Sequence, residues 1–409
     1  MNPSVKIKLS VMMFLQFFVW GGWYVTMGPF AGTNLHATGA QTGSLYSTQS
    51  WGAIIAPFIV GMIADRFFNA EKILGVLHII GAVLMYQAYK AADISAFYPY
   101  ILGYMILYMP TLALVNSVSF NQMKDTEKEF SSIRVWGTIG WIVAGLAISY
   151  LFHWDSAENL SKGFLKYTFL MSGIASLVLG LFSFTLPATP PKPSNGEKVS
   201  IAQILGLDAL KLLKDKNYLV FFIASILICI PLAFYYQNAN SFLTDIKIDN
   251  PTGKMTIGQI SEAAFILALP IFFKKFGFKW TIVVGMLAWA LRYAMFAYGN
   301  AGELSFLLII GIALHGVCYD FFFVSGQIYT DSKAGPQYKS AAQGMITLAT
   351  YGVGMLIGFY IAGLISDAYN AGGVHDWRMI WLIPAGIAAV VMVLFLLFFN
   401  DKTKTEVKA

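Results

Sequence analysis

The chain is read as an all-α polytopic membrane protein, with twelve transmembrane helices in two six-helix bundles. Three observations predict it. Of its 409 residues 57% are hydrophobic and only 12% charged, about half the roughly 25% charged share of soluble domains. Twelve stretches approach the roughly 20 mostly apolar residues that a bilayer-spanning helix needs. One long connection, Pro187 to Lys216, divides them six and six.

The segments fall at 8–30, 43–64, 72–90, 98–121, 133–153 and 165–186, then at 217–240, 256–273, 279–298, 304–326, 341–366 and 377–399. Met1–Ser10 runs into the first with no small-residue cleavage site, so a retained anchor rather than a cleaved leader is expected. Several segments carry Gly or Pro, which membrane helices tolerate because neighbouring groups satisfy the freed backbone. The long connection opens Pro-Ala-Thr-Pro-Pro-Lys-Pro-Ser-Asn-Gly, a turn-and-linker composition. Its second half, Ile201 to Leu213, reads equally as an amphipathic helix on the membrane or as a solvated connector. The expected domains are therefore a first bundle at 1–186, a cytoplasmic loop at 187–216, and a second bundle with a short tail at 217–409.

The net charge of +6 raises the question of nucleic acid, but its distribution answers it. With both termini in the cytoplasm, Lys6, Lys8, Arg66, Lys72, Lys124, Lys128, Arg134 and the loop lysines fall on that side. The far side keeps only Lys90, Lys162, Lys166, Lys247, Lys254 and Arg378. That asymmetry follows the positive-inside rule, so no nucleic-acid partner is expected. Cys229 and Cys318 are too few for a disulfide framework or a four-ligand zinc site, and no metal or cofactor is expected. H-E-x-x-H, G-x-S-x-G and P-loop patterns are absent, which points to a secondary carrier rather than an enzyme or an ATP-driven pump.

Two acids stand inside apolar segments, Glu262 in the eighth and Asp320 in the tenth. A carboxylate near mid-bilayer costs about 2.5–3.5 kcal/mol on insertion scales, so it pairs, lines a wet cavity or binds protons. Arg292 in the ninth segment and Arg134 at the start of the fifth are candidate counter-charges. Burial favours a protonated acid and a nearby arginine favours the ionised one, so competition for one carboxylate is a basis for proton coupling. A permanent ion pair between Arg292 and one acid is the structural alternative. Gln259 and Glu262, three apart, share a helix face, as do His315 and Tyr319, four apart. Arg134, Thr138 and Trp141 form a stripe on the fifth segment, and Gln237, Asn238 and Asn240 crowd the outer end of the seventh. Gln16, Trp20, Trp23, Tyr24 and Asn116 add amides and flat aromatic faces suited to sugar hydroxyls and a heterocycle.

The halves echo one another weakly, Ala56–Arg66 before the third segment resembling Ala268–Gly277 before the ninth. Gly61-Met-Ile-Ala-Asp65-Arg66 resembles the first part of the signature of the major facilitator superfamily, whose later Gly and Arg are replaced here by Phe67-Phe-Asn-Ala-Glu71-Lys72. That signature would make Asp65 and Arg66 conformational residues. Nearly end to end, the chain resembles bacterial nucleoside permeases of the nucleoside:proton symporter family. The first half carries this in Phe14-Leu-Gln-Phe-Phe-Val-Trp-Gly-Gly-Trp23, Tyr108-Met-Pro-Thr-Leu112, Ile133-Arg-Val-Trp-Gly-Thr-Ile-Gly140 and Leu205-Gly-Leu-Asp-Ala209. Gln259-Ile-Ser-Glu262, Ala288-Trp-Ala-Leu-Arg-Tyr293, Tyr319-Asp-Phe-Phe322 and Ser340-Ala-Ala-Gln-Gly-Met345 carry it in the second.

The resemblance implies a monomeric carrier in the bacterial inner membrane, taking up a nucleoside with a proton. It implies that Arg134, Thr138, Gln259, Glu262 and Asp320 hold ribose and base, with the two acids coupling protons. Departures surround that skeleton. Trp141 replaces a Phe of the family pattern, Ala233 and Tyr236 replace a Gln and an Asn, and His315 and Tyr319 replace a Tyr and a Phe. The altered shell leaves open a different nucleoside, or another small polar solute such as a sugar or glycoside. A non-transporting membrane sensor is the rival from another class.

Overall fold

The structure, a computed structural model, describes residues 2–59, 68–125, 129–191, 207–335 and 338–400. Its spans, in chain order, are α1 (Pro3–Gly21), α2 (Gly39–Ile59), α3 (Ala70–Lys90), α4 (Ile94–Asn121), α5 (Ser131–Leu151) and α6 (Phe164–Ser183). The second half holds α7 (Lys216–Asp245), α8 (251–276), α9 (278–298), α10 (Ser305–Ala334), α11 (Ala341–Ala368) and α12 (Trp377–Phe398). Helices α8 and α9 run continuously except at Gly277, whose φ of 72° and ψ of 177° break the ladder. That left-handed φ is cheap only for glycine.

Local chemistry explains where the helices start and stop. Asn2 caps α1 by accepting from Ser4 N–H at 2.9 Å, with Pro3 in the first turn, so the helix begins earlier than the apolar run. It also ends earlier than expected. At Gly21-Gly22 the chain turns, and a short separate helix, Met27–Asn34, follows. A glycine pair is a favoured place for a helix to break. Asp93 and Asp376 cap α4 and α12 through Ala96 N–H (2.9 Å) and Met379 N–H (3.2 Å). Asp215 caps α7 through Asn217 and Tyr218 N–H, at 2.8 and 3.1 Å. Of the stretch Ile201–Leu213, read equally as an amphipathic helix or a solvated connector, the described part lies in a 3₁₀ helix over Leu207–Lys214. A two-residue hairpin, Asn370–Ala371 with Val374–His375, joins α11 to α12 across a Gly372-Gly373 turn.

The chain divides into two compact units, Met1–Lys198 with Asp249–Thr256, and Val199–Ile248 with Ile257–Ala409. In the first, α1 packs on α5, α3 on α6, and α4 on both α2 and α3. Leu9, Met12, Leu74, Leu114, Ile133 and Leu179 form a buried cluster there. A buried polar network ties α1, α3, α4 and α6. Gln16 donates to Thr111 Oγ1 (2.7 Å), and His78 meets Gln16 Oε1 and Ser176 Oγ, each at 2.9 Å. Satisfied groups of this kind are what an apolar interior permits. In the same unit Asp155 accepts from Ser149 Oγ–H (2.6 Å) and from Thr252 N–H (3.0 Å), capping the first turn of α8. In the second unit α7 packs on α11 and α12. Large apolar side chains such as Leu151, Leu267, Ile271, Leu364 and Leu397 point outward. An exterior this apolar suits lipid rather than water.

Candidate functional site

The second unit gathers most of the polar residues singled out above. Its organising feature is the crossing of α8 and α10. A Cβ added to Gly316 would lie 2.4 Å from the carbonyl carbon of Ser261 and 2.5 Å from the amide nitrogen of Glu262. Glycine therefore lets the two backbones meet there, and Ser261 Oγ donates to Ala313 O across the same contact. The crossing sets His315 against Glu262, with Nε2 3.9 Å from Oε2. Glu262 is half-buried, its side chain 27% exposed, while His315 is buried.

Arg292 on α9 lies beneath this pair and is fully buried. Its Nε donates to Gly311 O at 3.0 Å, and its Nη1 reaches His315 Nδ1 at 3.0 Å and Cys318 Sγ at 3.5 Å. The guanidinium carbon stands 3.9 Å from the centre of the Tyr235 ring, a cation–π contact. Among the described residues no carboxylate is a partner of Arg292, so the permanent ion pair weighed as the structural alternative is not formed here. The tenth helix offers a backbone carbonyl and an imidazole nitrogen instead.

Asp320 follows one turn along α10, at the start of a π-helical stretch, Asp320–Val324. Such turns insert a residue into the helix and recur at functional sites. The residue is fully buried and, among the described residues, neither carboxyl oxygen has a hydrogen-bond partner. Glu262 acts on it electrostatically. Tyr319 bonds through its hydroxyl to Tyr351, which lies in a second π-helical stretch, Leu348–Gly354 of α11. Tyr236 on α7 is in electrostatic contact with both Tyr351 and Glu262. Gln259, one turn before Glu262, is half-buried.

Gln237 does not join this group. Oriented to satisfy both ends, its amide donates to Phe359 O (3.1 Å) and accepts from Gly363 N–H (3.3 Å), tying α7 to α11. In the first unit Arg134 stacks on the Phe17 ring, its guanidinium carbon 4.2 Å from the ring centre. Thr138 is half-buried further along α5. Trp141 packs edge-on to Trp20 at 5.5 Å, and Trp20 lies 5.5 Å from Tyr108. Asp65 and Arg66 fall outside the described residues.

The family model for the nucleoside H+ symporter matches residues 3–404. The chain belongs to the nucleoside H+ symporter family. It is 44% identical to YegT of Escherichia coli (strain K12) over 402 residues, covering 96% of this chain and 93% of that one. It is 34% identical to the xanthosine permease of the same organism over 414 residues, covering 98% and 96%. The crystal structure of the nucleoside transporter NupG superposes with a TM-score of 0.87 at 32% identity, over 98% of this chain and all of that one. This nucleoside H+ symporter is thus a multi-pass integral membrane transporter with the major facilitator fold.

Two residues of this cluster, one on α7 and one on α11, escaped sequence reasoning in this symporter. Tyr235 stacks on the His315 ring, with centroids 5.3 Å apart, and Tyr351 holds Tyr319. An aromatic residue in an apolar helix carries no sequence mark that separates site from packing. Only the polar residues nearby on each helix hinted at it.

Proposed function

We propose that the chain imports nucleosides with protons across the bacterial inner membrane, by alternating access of its two bundles, as a monomer with both termini in the cytoplasm. The observation that carries the proton role is Asp320. A fully buried carboxyl with no hydrogen-bond partner among the described residues is costly when ionised and far cheaper when protonated. It is the group in this geometry best suited to carry the proton. Glu262, half-buried and beside a ring N–H, is suited to accept a ribose hydroxyl and to share in coupling. Gln259, Tyr236, Tyr319 and His315 are proposed to complete the second unit's contribution, where phenol and imidazole faces suit a nucleobase. Arg134, Thr138 and Trp141 are the ligands proposed from the first unit. Gln237 is proposed to support the site by holding α7 on α11.

Purified protein in liposomes tests this reading. With an inward proton gradient it should accumulate labelled uridine, adenosine or xanthosine, and a protonophore should collapse the accumulation. Gradient-driven uptake of a sugar, with no flux of any of the three nucleosides, would overturn it.

A further inference from the structure

Arg292 is a permanent cation, and a guanidinium has donors only. Its Nη1, 3.0 Å from His315 Nδ1, must therefore donate, and that ring nitrogen must be a bare acceptor. A neutral imidazole with Nδ1 accepting carries its single proton on Nε2. A doubly protonated ring would turn an N–H toward the arginine. The tautomer is thus fixed by the neighbour on α9, and the Nε2 so protonated is the atom facing Glu262 Oε2 at 3.9 Å. Stacking on Tyr235 fixes the ring plane as well. The gap is longer than a direct hydrogen bond, so the N–H meets the carboxylate as a dipole across 3.9 Å.

We propose that Arg292 and His315 are positioning residues that hold one N–H donor at Glu262, setting the ease with which that carboxylate gives up its proton. This rests on the reading of Glu262 as a proton and substrate site. A donor aimed at a carboxylate favours its ionised form. Glu262 also interacts electrostatically with Asp320 and with the phenols Tyr236 and Tyr319, and Tyr351 acts on both phenols. Cys318, also against Arg292, is a weak donor and does not substitute for the imidazole. The arginine here serves the histidine and not the acids directly.

The test is equilibrium exchange of labelled nucleoside in liposomes at equal pH on both sides, read as a function of pH. His315→Phe removes the donor, so the midpoint of the pH profile should move up by about one unit. His315→Gln can still present an amide N–H and should restore most of that shift. Arg292→Met frees the tautomer and should move the midpoint the same way as His315→Phe. Arg292→Gln, which still donates to Nδ1, should move it less. A wild-type protein that exchanges no nucleoside would sink the functional reading beneath the proposal. If wild-type exchanges and both His315 variants keep its midpoint, the proposal alone is overturned. Should the Arg292 variants fail to fold, the difference between His315→Phe and His315→Gln decides it. If both shift alike, the donor has no role. If His315→Phe itself loses exchange, the pH dependence of nucleoside protection in a thermal-shift measurement replaces it, with the same two outcomes.

Discussion

Gly316→Ala adds one methyl group at the point where α10 rests on α8. The new Cβ would stand 2.4 Å from Ser261 C and 2.5 Å from Glu262 N, both backbone atoms that cannot swing aside. Restoring ordinary contact near 3.4 Å requires the helices to part locally by about 1 Å. Overpacking of this kind costs about 1–3 kcal/mol, and a coupling loss of that size corresponds to roughly 5- to 150-fold. The separation acts where Ser261 holds Ala313 O and where His315 faces Glu262. Proton-driven nucleoside uptake should therefore fall by at least about fivefold, together with a lower thermal denaturation midpoint in detergent. Gly386→Ala is the control, because a Cβ there meets nothing within 4 Å. It should leave uptake and stability close to wild type, or raise stability slightly through helix propensity. Wild-type uptake and midpoint in Gly316→Ala would refute the close crossing and the placement of Glu262 that follows from it.

Other perturbations test other parts. Asp215→Ala removes the cap of α7 and should cost about 1 kcal/mol of stability at neutral pH. The half-buried Lys333, 3.4 Å from the exposed Asp215 carboxylate, adds little to that. Burial alone would raise the Asp215 carboxyl, but Tyr218 N–H, Lys333 and Asn217 N–H together hold it below its ordinary value of 3.8. Its stabilisation is thus present above that value and lost as pH falls below it. Wild type and variant should converge in acid when denaturation midpoints are compared, and a gap that persists there would contradict the cap. The triple substitution Trp141→Phe, His315→Tyr and Tyr319→Phe should shift preference among competing nucleosides. An unchanged competition profile against labelled uridine would tell against these residues as substrate contacts.

The helices and the two acids were legible because lipid imposes simple rules. A span needs length and apolarity, and a charge within one needs a reason, so Glu262 and Asp320 stood out before any contact was known. What the sequence left out are choices between neighbours of equal standing. Spacing put Arg292 inside the second half but could not say that Gly311 O and His315 would claim it ahead of an acid. Gln16 and Gln237 looked like ligands because an amide's partners are set by packing: Thr111 and His78 take one, and the α11 backbone takes the other. Tyr351 and Gly316 were silent for the opposite reason. Phenols and glycines are common in membrane helices, and only a crossing or a π turn makes one matter. The helix end at Gly21 was missed because the apolar run continues past it, while the break at Gly277 fell between the segments expected to end at 273 and resume at 279, where lysines interrupt the apolar run.

Proton movement triggered by substrate separates coupling from binding. In vesicles holding a pH-sensitive dye, with no imposed gradient, adding nucleoside outside should acidify the interior for the wild-type protein. Asp320→Asn should exchange labelled nucleoside across the same vesicles and produce no acidification. Acidification by Asp320→Asn equal to wild type would show that the buried, unpartnered carboxyl of α10 does not carry the proton.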